Sequence, residues 1–252
     1  MSVDPRMAGL PPAVVAVVHA GARALRDGQP QHAEPLLLQA CAQAPAHAEP
    51  LRYLAILQLH TRRAPLAIRT LQQALAIAPD DALLHCDLGT AQSASGDIEA
   101  ALVSWDCACH LDPAQPMPWF NLGRNLQQLG RTDAAIAALQ QATVLAPELL
   151  PAKILLGDAL VHAGRFEEAA SRYRAALRLQ PACGDAWRGL SNIKTHALDA
   201  ADAQALQAQL QRRDIADSDR VAMGHALGKL AEARGRVPQA FAALAAANAL
   251  QQ

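Results

Sequence analysis

Five prolines recur along this chain at intervals of 34 residues without one slip. They are Pro45, Pro79, Pro113, Pro147 and Pro181. Most follow a segment rich in Ala and Leu, and proline cannot continue a helix because it lacks the backbone N–H. A constant period of this length is typical of stacked repeats, in which each unit buries its apolar face against the next. The period therefore favours growth by added units over growth around one central core.

Small residues keep the same phase as the prolines. Glycine occupies the eighth position of four units, and Ala55 replaces it in the second unit. Two helices approach closely only where a side chain is absent or very small, so this phase predicts two helices that cross at that position in every unit. The glycines are Gly21, Gly89, Gly123 and Gly157. A tail, 1–13, precedes units at 14–47, 48–81, 82–115, 116–149 and 150–183.

The composition limits the class of protein. The chain is 52% apolar but only 3% aromatic, which favours closely packed helices with an Ala and Leu core. A formal charge of −1 gives no basic surface for nucleic acid. Five cysteines, an odd number, form no disulfide framework and indicate a reduced, cytoplasmic protein. The apolar stretch Ala13–Val18 is too short to span a membrane.

The pattern weakens after Pro181. A sixth unit begins with Trp187 and Leu190, and Asp199 is placed to cap a helix that ends near Gln211. A seventh unit is recognisable at Leu227 and Gly228, so 184–252 is predicted to be two diverged helix pairs, making about seven pairs in all. The last, Ala-rich helix has no polar cap behind it, so either the last pair is its own cap or the chain is a segment of a longer protein, which is the prediction favoured here. Self-association through the C-terminal end is a further alternative.

The unit 116–149 carries the motif Trp119-Phe-Asn-Leu122-Gly123, followed by Gly130, Ala135, Leu139, Ala142 and Pro147. This motif resembles the tetratricopeptide repeat family, and the shared phase extends the resemblance over nearly the whole chain. The resemblance implies an all-α, right-handed superhelical solenoid that binds a protein or peptide and is not itself an enzyme.

A second resemblance concerns 184–252. The runs Asp185–Thr195, Asp219–Val221, Ala226–Lys229, Gln239–Phe241 and Ala247–Leu250 are similar to the junction between repeats and catalytic domain in bacterial tetratricopeptide repeat sulfotransferases. This implies a non-catalytic N-terminal region whose sulfotransferase domain lies outside the chain, since the sequence has no glycine-rich phosphate loop. An enzyme active in this chain and an oligomerising scaffold are the alternatives.

The family resemblance places the first helix of each unit on the concave face, with repeat positions 5 and 9 pointing into the groove. Arginine there can grip a carboxylate and asparagine can hold a peptide backbone, although a merely solvated face is the alternative. The predicted partner-binding residues are Arg52, Ile56, Phe120, Arg124, Ile154, Asp158, Arg188 and Asn192.

No catalytic, cofactor or metal site is predicted. Cys107 and Cys109 lie two residues apart on a predicted helix and therefore point in different directions, which disfavours a shared zinc ion. His60, His162 and His196 recur at position 13, where solvated helix ends or a pH-sensitive stripe are the alternatives.

Overall fold

The computed structural model describes residues 5–193, 198–212 and 214–249. These ranges contain a short 3₁₀ helix, Pro5–Met7, fourteen α-helices and no strand, which confirms the predicted all-α class. Two compact units divide the chain, residues 1–122 and 123–252. The helices of the first unit are α1 (Pro12–Arg26), α2 (Pro30–Gln43), α3 (Ala48–His60), α4 (Ala64–Ile77), α5 (Ala82–Ala94), α6 (Ile98–Leu111) and the start of α7 (Pro116–Gln128).

The second unit continues from within α7. Its helices are α8 (Thr132–Leu145), α9 (Leu150–His162), α10 (Phe166–Leu179), α11 (Gly184–Asn192), α12 (Ala200–Leu210), α13 (Asp217–Ala233) and α14 (Val237–Ala249). Consecutive helices pack as pairs, for example α5 with α6 and α13 with α14. Short connections make such neighbours antiparallel, as expected of helix-turn-helix repeats.

Glycine at the eighth repeat position lies where the two helices of a pair meet. A Cβ built on Gly123 would stand 2.6 Å from Leu139 Cγ, and Leu139 is fully buried. The same close approach joins residues sixteen apart in four other pairs, which are Gly21 with Leu37, Gly89 with Trp105, Gly157 with Tyr173 and Gly228 with Leu244. The crossing predicted at this position is confirmed, and its cause is that a large side chain fills the space above the glycine.

The turn inside each pair uses a left-handed residue. Gly28, Gly96, Gly130 and Gly164 have φ between 70° and 89°, values that glycine adopts without steric cost. In the second repeat Arg62 occupies the same position with φ 59° and is the non-glycine residue with positive φ in the described structure. This turn is therefore strained relative to the others.

The C-terminal helices depart from the regular period. The predicted cap is confirmed, because Asp199 Oδ1 accepts from the Asp202 N–H at 2.7 Å and the Asp202 carboxylate accepts from the Asp199 N–H at 3.2 Å. Helix α12 ends at Leu210, close to its predicted end. Helix α11 packs directly on α13, so the first helices of the last two helix pairs are neighbours. No helix in the described ranges is long and apolar enough to cross a membrane.

Candidate functional site

A cleft opens in the second unit where α11 lies against α13. Gly184 permits this approach, because a Cβ there would lie 2.8 Å from both Ala222 Cβ and Asp219 Cα. The Gly184 N–H also donates to Asp219 Oδ1 at 2.9 Å, which fixes the start of α11 on α13. The cleft has a volume of about 530 Å³. It is lined by Arg188, Ser191, Asn192, Asp217, Ser218, Val221, Ala222, His225, Ala226 and Lys229.

Polar side chains one helical turn apart face this cleft from both helices. Arg188 and Asn192 project from α11, and His225 and Lys229 project from α13. Lys229 Nζ donates to Asn192 Oδ1 and so links the two walls. Arg188 forms an ion pair of 2.8 Å with Asp185, yet its side chain remains 62% exposed. The cleft thus presents two cationic heads beside the amide of Asn192, a set that can bind a carboxylate and a backbone carbonyl.

His225 and Lys229 were absent from the predicted site residues. Because Gly228 is the position 8 glycine of the seventh unit, His225 lies at position 5 and Lys229 at position 9. Arg188 and Asn192 have the same two positions in the preceding unit. The signal was therefore present in the sequence, since applying the concave-face rule to the seventh unit would have found both residues.

Asp158, another predicted site residue, is engaged within the fold. Its Oδ1 accepts a hydrogen bond of 2.6 Å from the hydroxyl of Tyr173. Burial raises the pKa of Asp158, although the Tyr173 hydrogen bond and the charge of Arg188 partly oppose that effect. Burial together with the hydrogen bond to Asp158 raises the pKa of Tyr173 as well. This carboxylate is therefore a half-buried anchor for Tyr173.

The remaining predicted residues of the second unit lie in different surroundings. Ile154 is half-buried against an apolar cluster formed by Ala176, Cys183 and Ala186. Arg124 is exposed on α7. The structure thus brings Arg188 and Asn192 together in one cleft, and it uses Ile154 chiefly for packing.

Three predicted residues lie in the first unit. Arg52 is engaged by two carboxylates, with Nη1 at 2.7 Å from Glu49 Oε1 and Nε at 3.0 Å from Asp87 Oδ2. The second contact is an ion pair by distance but not an aligned hydrogen bond. Ile56 is half-buried and Phe120 is 8% exposed. The Arg52 guanidinium therefore binds carboxylates of the chain itself, and most of the Phe120 side chain is packed inside the fold.

Cysteine and histidine are the side chains that most often bind transition metals in proteins. Among the described residues, no group of three or more His, Cys, Asp or Glu side chains is arranged to hold a metal ion. Burial raises the pKa of Cys86 and of Cys109 to about 12, so both thiols stay protonated at neutral pH. His60 and His162 are exposed at helix ends, whereas His196 lies outside the described residues.

Two family profiles, both described as tetratricopeptide repeat, match the chain. One matches residues 24–85 and 126–193, and the other matches residues 86–149. Residues 194–252 lie outside these matches. The resemblance of 184–252 to a sulfotransferase junction therefore stays a prediction.

Curated relatives match about half of the chain. The small glutamine-rich tetratricopeptide repeat-containing protein 2 of Mycosarcoma maydis is 27% identical over 124 residues, which are 49% of this chain and 35% of that protein. The CTR9 homolog of Arabidopsis thaliana is 33% identical over 133 residues, 49% of this chain and 12% of that protein. The chain thus spans about a third or less of the length of these relatives.

Solved structures share the fold at low sequence identity. MamA from Desulfovibrio magneticus RS-1 superposes with a TM-score of 0.59 at 20% identity, covering 69% of this chain and 98% of that one. YrrB, described as a TPR protein with an unusual peptide-binding site, gives 0.57 at 18% identity over 82% and 96%. A thermophilic TPR protein from Thermus thermophilus, TTC0263, gives 0.57 at 23% identity over 77% and 99%. With the matched profiles and the helix pairs described above, these findings establish that the chain belongs to the tetratricopeptide repeat family.

Proposed function

We propose that this chain is a binding module that holds a segment of a partner protein or peptide in the cleft between α11 and α13. The main support is the cleft itself, in which Arg188 and Asn192 of α11 face His225 and Lys229 of α13 at equivalent turns of the two helices. Arginine and lysine attract a carboxylate, and the Asn192 amide can pair with a peptide backbone. The favoured partner is an extended segment that carries at least one acidic group.

The geometry agrees with this assignment. A volume of about 530 Å³ is sufficient for a few residues of an extended chain. The apolar floor is supplied by Val221, Ala222 and Ala226, so the cleft offers both burial and charge. YrrB, a structure of the same fold, is described as having a peptide-binding site, which supports a peptide as the class of ligand.

We infer a non-catalytic, cytoplasmic module that recruits or orients a partner and binds neither nucleic acid nor membrane. Membership in the repeat family, the formal charge of −1 and the prevalence of Ala and Leu support these inferences. The curated relatives exceed the matched region several-fold, which favours a role as one part of a larger protein.

The cleft can be tested with peptides selected by phage display on the purified chain. The selected peptide is then titrated by calorimetry into the unaltered chain and into Arg188→Ala and Lys229→Ala. Each truncation is expected to weaken binding at least about tenfold, because it removes a cation that contacts the acidic group. Gln141→Ala, on the exposed part of α8, is the matched control and should leave affinity unchanged. Equal losses from cleft and control variants would exclude the cleft as the site.

A charge reversal tests whether the predicted groove extends along the unit. Arg124→Glu is expected to weaken binding, whereas Gln141→Glu is not. A charge at the rim mainly changes the association rate and its salt dependence, so stopped-flow measurements at two salt concentrations should show the effect. Identical rates for both variants would confine the site to α11 and α13.

A further inference from the structure

The charges that line the cleft between α11 and α13 are separated along its length. On the α13 wall, the lining residues follow one another as an acid, an apolar stretch, an imidazole and an ammonium group. Asp217 is the first residue of α13, and Lys229 follows twelve residues later. Because a helix rises about 1.5 Å per residue, the two positions are about 18 Å apart. The cleft therefore has an acidic end at Asp217 and a basic end at Lys229.

Two acidic residues lie in the first turn of α13, and only one of them is used to hold the fold. Asp219 Oδ1 accepts from the Gly184 N–H at 2.9 Å and so fixes α11 on α13. Asp217 forms no ion pair with a charged residue that the structure describes, and its side chain is exposed on the cleft lining beside Ser218. The Asp217 carboxylate is therefore accessible to a cation of a bound segment.

The basic end is the part of the cleft where a positive charge is least compensated. Lys229 Nζ donates to Asn192 Oδ1 and has further N–H donors for a ligand. Within the described ranges, no carboxylate forms an ion pair with Lys229. The Arg188 guanidinium differs, because its ion pair of 2.8 Å with Asp185 offsets part of its charge. An acidic group of a ligand is therefore attracted most strongly to the end opposite Asp217.

The surface between the two ends is apolar. Val221 and Ala222 are half-buried, and Ala226 is 1% exposed. These side chains are small, so the cleft has room for one larger apolar side chain of a bound segment. Exposed ion pairs contribute little affinity by themselves. Apolar contact at the centre should therefore supply most of the affinity, and the charges at the two ends should select the ligand.

We propose that the cleft takes a dipolar segment of a partner protein, with an acidic side chain at Lys229, a basic side chain at Asp217 and an apolar side chain between them. An extended chain rises about 3.3 Å per residue, so charges about five residues apart fit the two ends. The dipolar partner rests on the proposed function, because it occupies the same cleft.

The same charges reject segments that are acidic throughout. A segment with acidic groups at both ends would place one of them beside Asp217, where like charges repel. A segment with basic groups at both ends would meet Lys229 in the same way. The cleft therefore distinguishes a dipolar segment from one that merely carries an acidic group.

Peptide selection tests this specificity directly. Random peptides displayed on phage are selected on the unaltered chain, on Asp217→Lys and on Asp133→Lys. Peptides from the unaltered chain should be enriched in an acid and a base about five residues apart. Peptides from Asp217→Lys should carry acids at both places. Asp133→Lys is the matched control, because Asp133 is also an exposed acid in the first turn of a helix, α8, and it should retain the selection of the unaltered chain.

Calorimetry measures the size of the effect. One peptide selected on the unaltered chain is compared with a copy in which glutamate replaces its basic residue. The copy should bind the unaltered chain and Asp133→Lys at least about fivefold more weakly, because repulsion replaces the attraction of one exposed pair. Asp217→Lys should reverse the order and bind the copy more tightly. This gain of affinity is a result that an unfolded variant cannot give.

The outcomes separate the dipolar partner from the cleft itself. Selected peptides that lose affinity in Arg188→Ala but show no enriched base would overturn the dipolar partner and leave the cleft as the binding site. The same conclusion follows if Asp217→Lys and the unaltered chain prefer the same peptide. Binding that survives both Arg188→Ala and Lys229→Ala, or failure to select any peptide, would contradict the proposed function and the dipolar partner together.

Discussion

The ring of Tyr173 occupies the space that a side chain at Gly189 would need. A Cβ built on Gly189 would collide with Tyr173 Cε1 and Cζ, and on the other side a Cβ on Gly157 would stand 2.6 Å from Cε1. The Tyr173 ring, which projects from α10, is therefore held between α9 and α11, and this side chain is only 1% exposed. Its hydroxyl reaches Asp158 at 2.6 Å, which makes this side chain the link among three helices.

Tyr173→Phe should destabilise the chain by about 1–3 kcal/mol, because it leaves the half-buried Asp158 carboxylate without this donor. The Tyr173 hydrogen bond lowers the Asp158 pKa against the raising effect of burial, so its loss should raise that pKa further. A group whose pKa is raised on folding binds more protons in the folded state. Stability then falls as pH rises from the unfolded pKa of about 4 through the folded value.

Urea unfolding of both chains between about pH 4 and pH 8 checks this expectation. The decline of unfolding free energy with rising pH should be steeper in the variant. Asp158→Asn combined with Tyr173→Phe serves as the control and should lose this part of the pH dependence. A parallel pair of pH profiles for the unaltered chain and Tyr173→Phe would contradict the role given to Asp158.

Gly123→Leu is expected to cost roughly 1–3 kcal/mol or more, because even a Cβ at this site stands 2.6 Å from Leu139 Cγ and 3.1 Å from the Leu139 backbone nitrogen. Thermal unfolding followed by circular dichroism measures the loss. Adding Leu139→Ala makes room, so the double variant should be less destabilised than the sum of the two single variants. An unchanged melting temperature for Gly123→Leu would show that the helices do not pack as described.

Arg62→Gly should stabilise the chain by about 0.5–1 kcal/mol. Arg62 has φ 59°, a conformation that costs a non-glycine residue about 1–2 kcal/mol. Glycine relieves this strain, but it loses more conformational entropy on folding, which offsets part of the stabilisation. Arg69→Gly in α4 removes the same charge and should destabilise by about 1 kcal/mol. Both are compared by urea unfolding, and a loss of stability in Arg62→Gly would disprove strain in this turn.

The apolar surface of α14 should support self-association. Phe241 is 74% exposed and Val237 is 68% exposed, which is unusual for large apolar side chains on one helix. Multi-angle light scattering at rising concentration should show a species larger than the monomer, and Phe241→Glu should restore the monomer. Gln239→Glu on the same helix adds the same charge and should leave association unchanged. A monomer at every concentration would dismiss this surface as an interface.

The regular part of the fold could be predicted because it depends on local geometry. Gly123 and Leu139 must meet once two helices of fixed length are joined by a short turn, and the period reports that length directly. Arg62 stands where the other repeats have a turn glycine, and its backbone adopts the same positive φ as those glycines. Packing constraints within one repeat are therefore readable from the sequence.

The chemistry of the charged side chains, including those of the candidate site, was less predictable, because it depends on contacts between distant residues. Arg6 pairs with Asp81, 75 residues away, and nothing in the period connects them. The cleft between α11 and α13 lies beyond the last regular repeat, and there Lys229 faces Asn192, 37 residues away. Arg52 was assigned to the groove by its position, but neighbouring carboxylates determine what its guanidinium touches.

Tyr173 also decides which piece of the chain could be transplanted. A segment cut at 150–183 would carry the ring and Gly157, but it would leave behind Gly189, the gap that receives the other side of the ring. If the same segment preceded a helix with a larger side chain at the position of Gly189, the Tyr173 ring would collide with that side chain and push the two helices apart. The smallest exchangeable cassette at this point of the protein is therefore α9 to α11, three helices rather than the two that the sequence period defines.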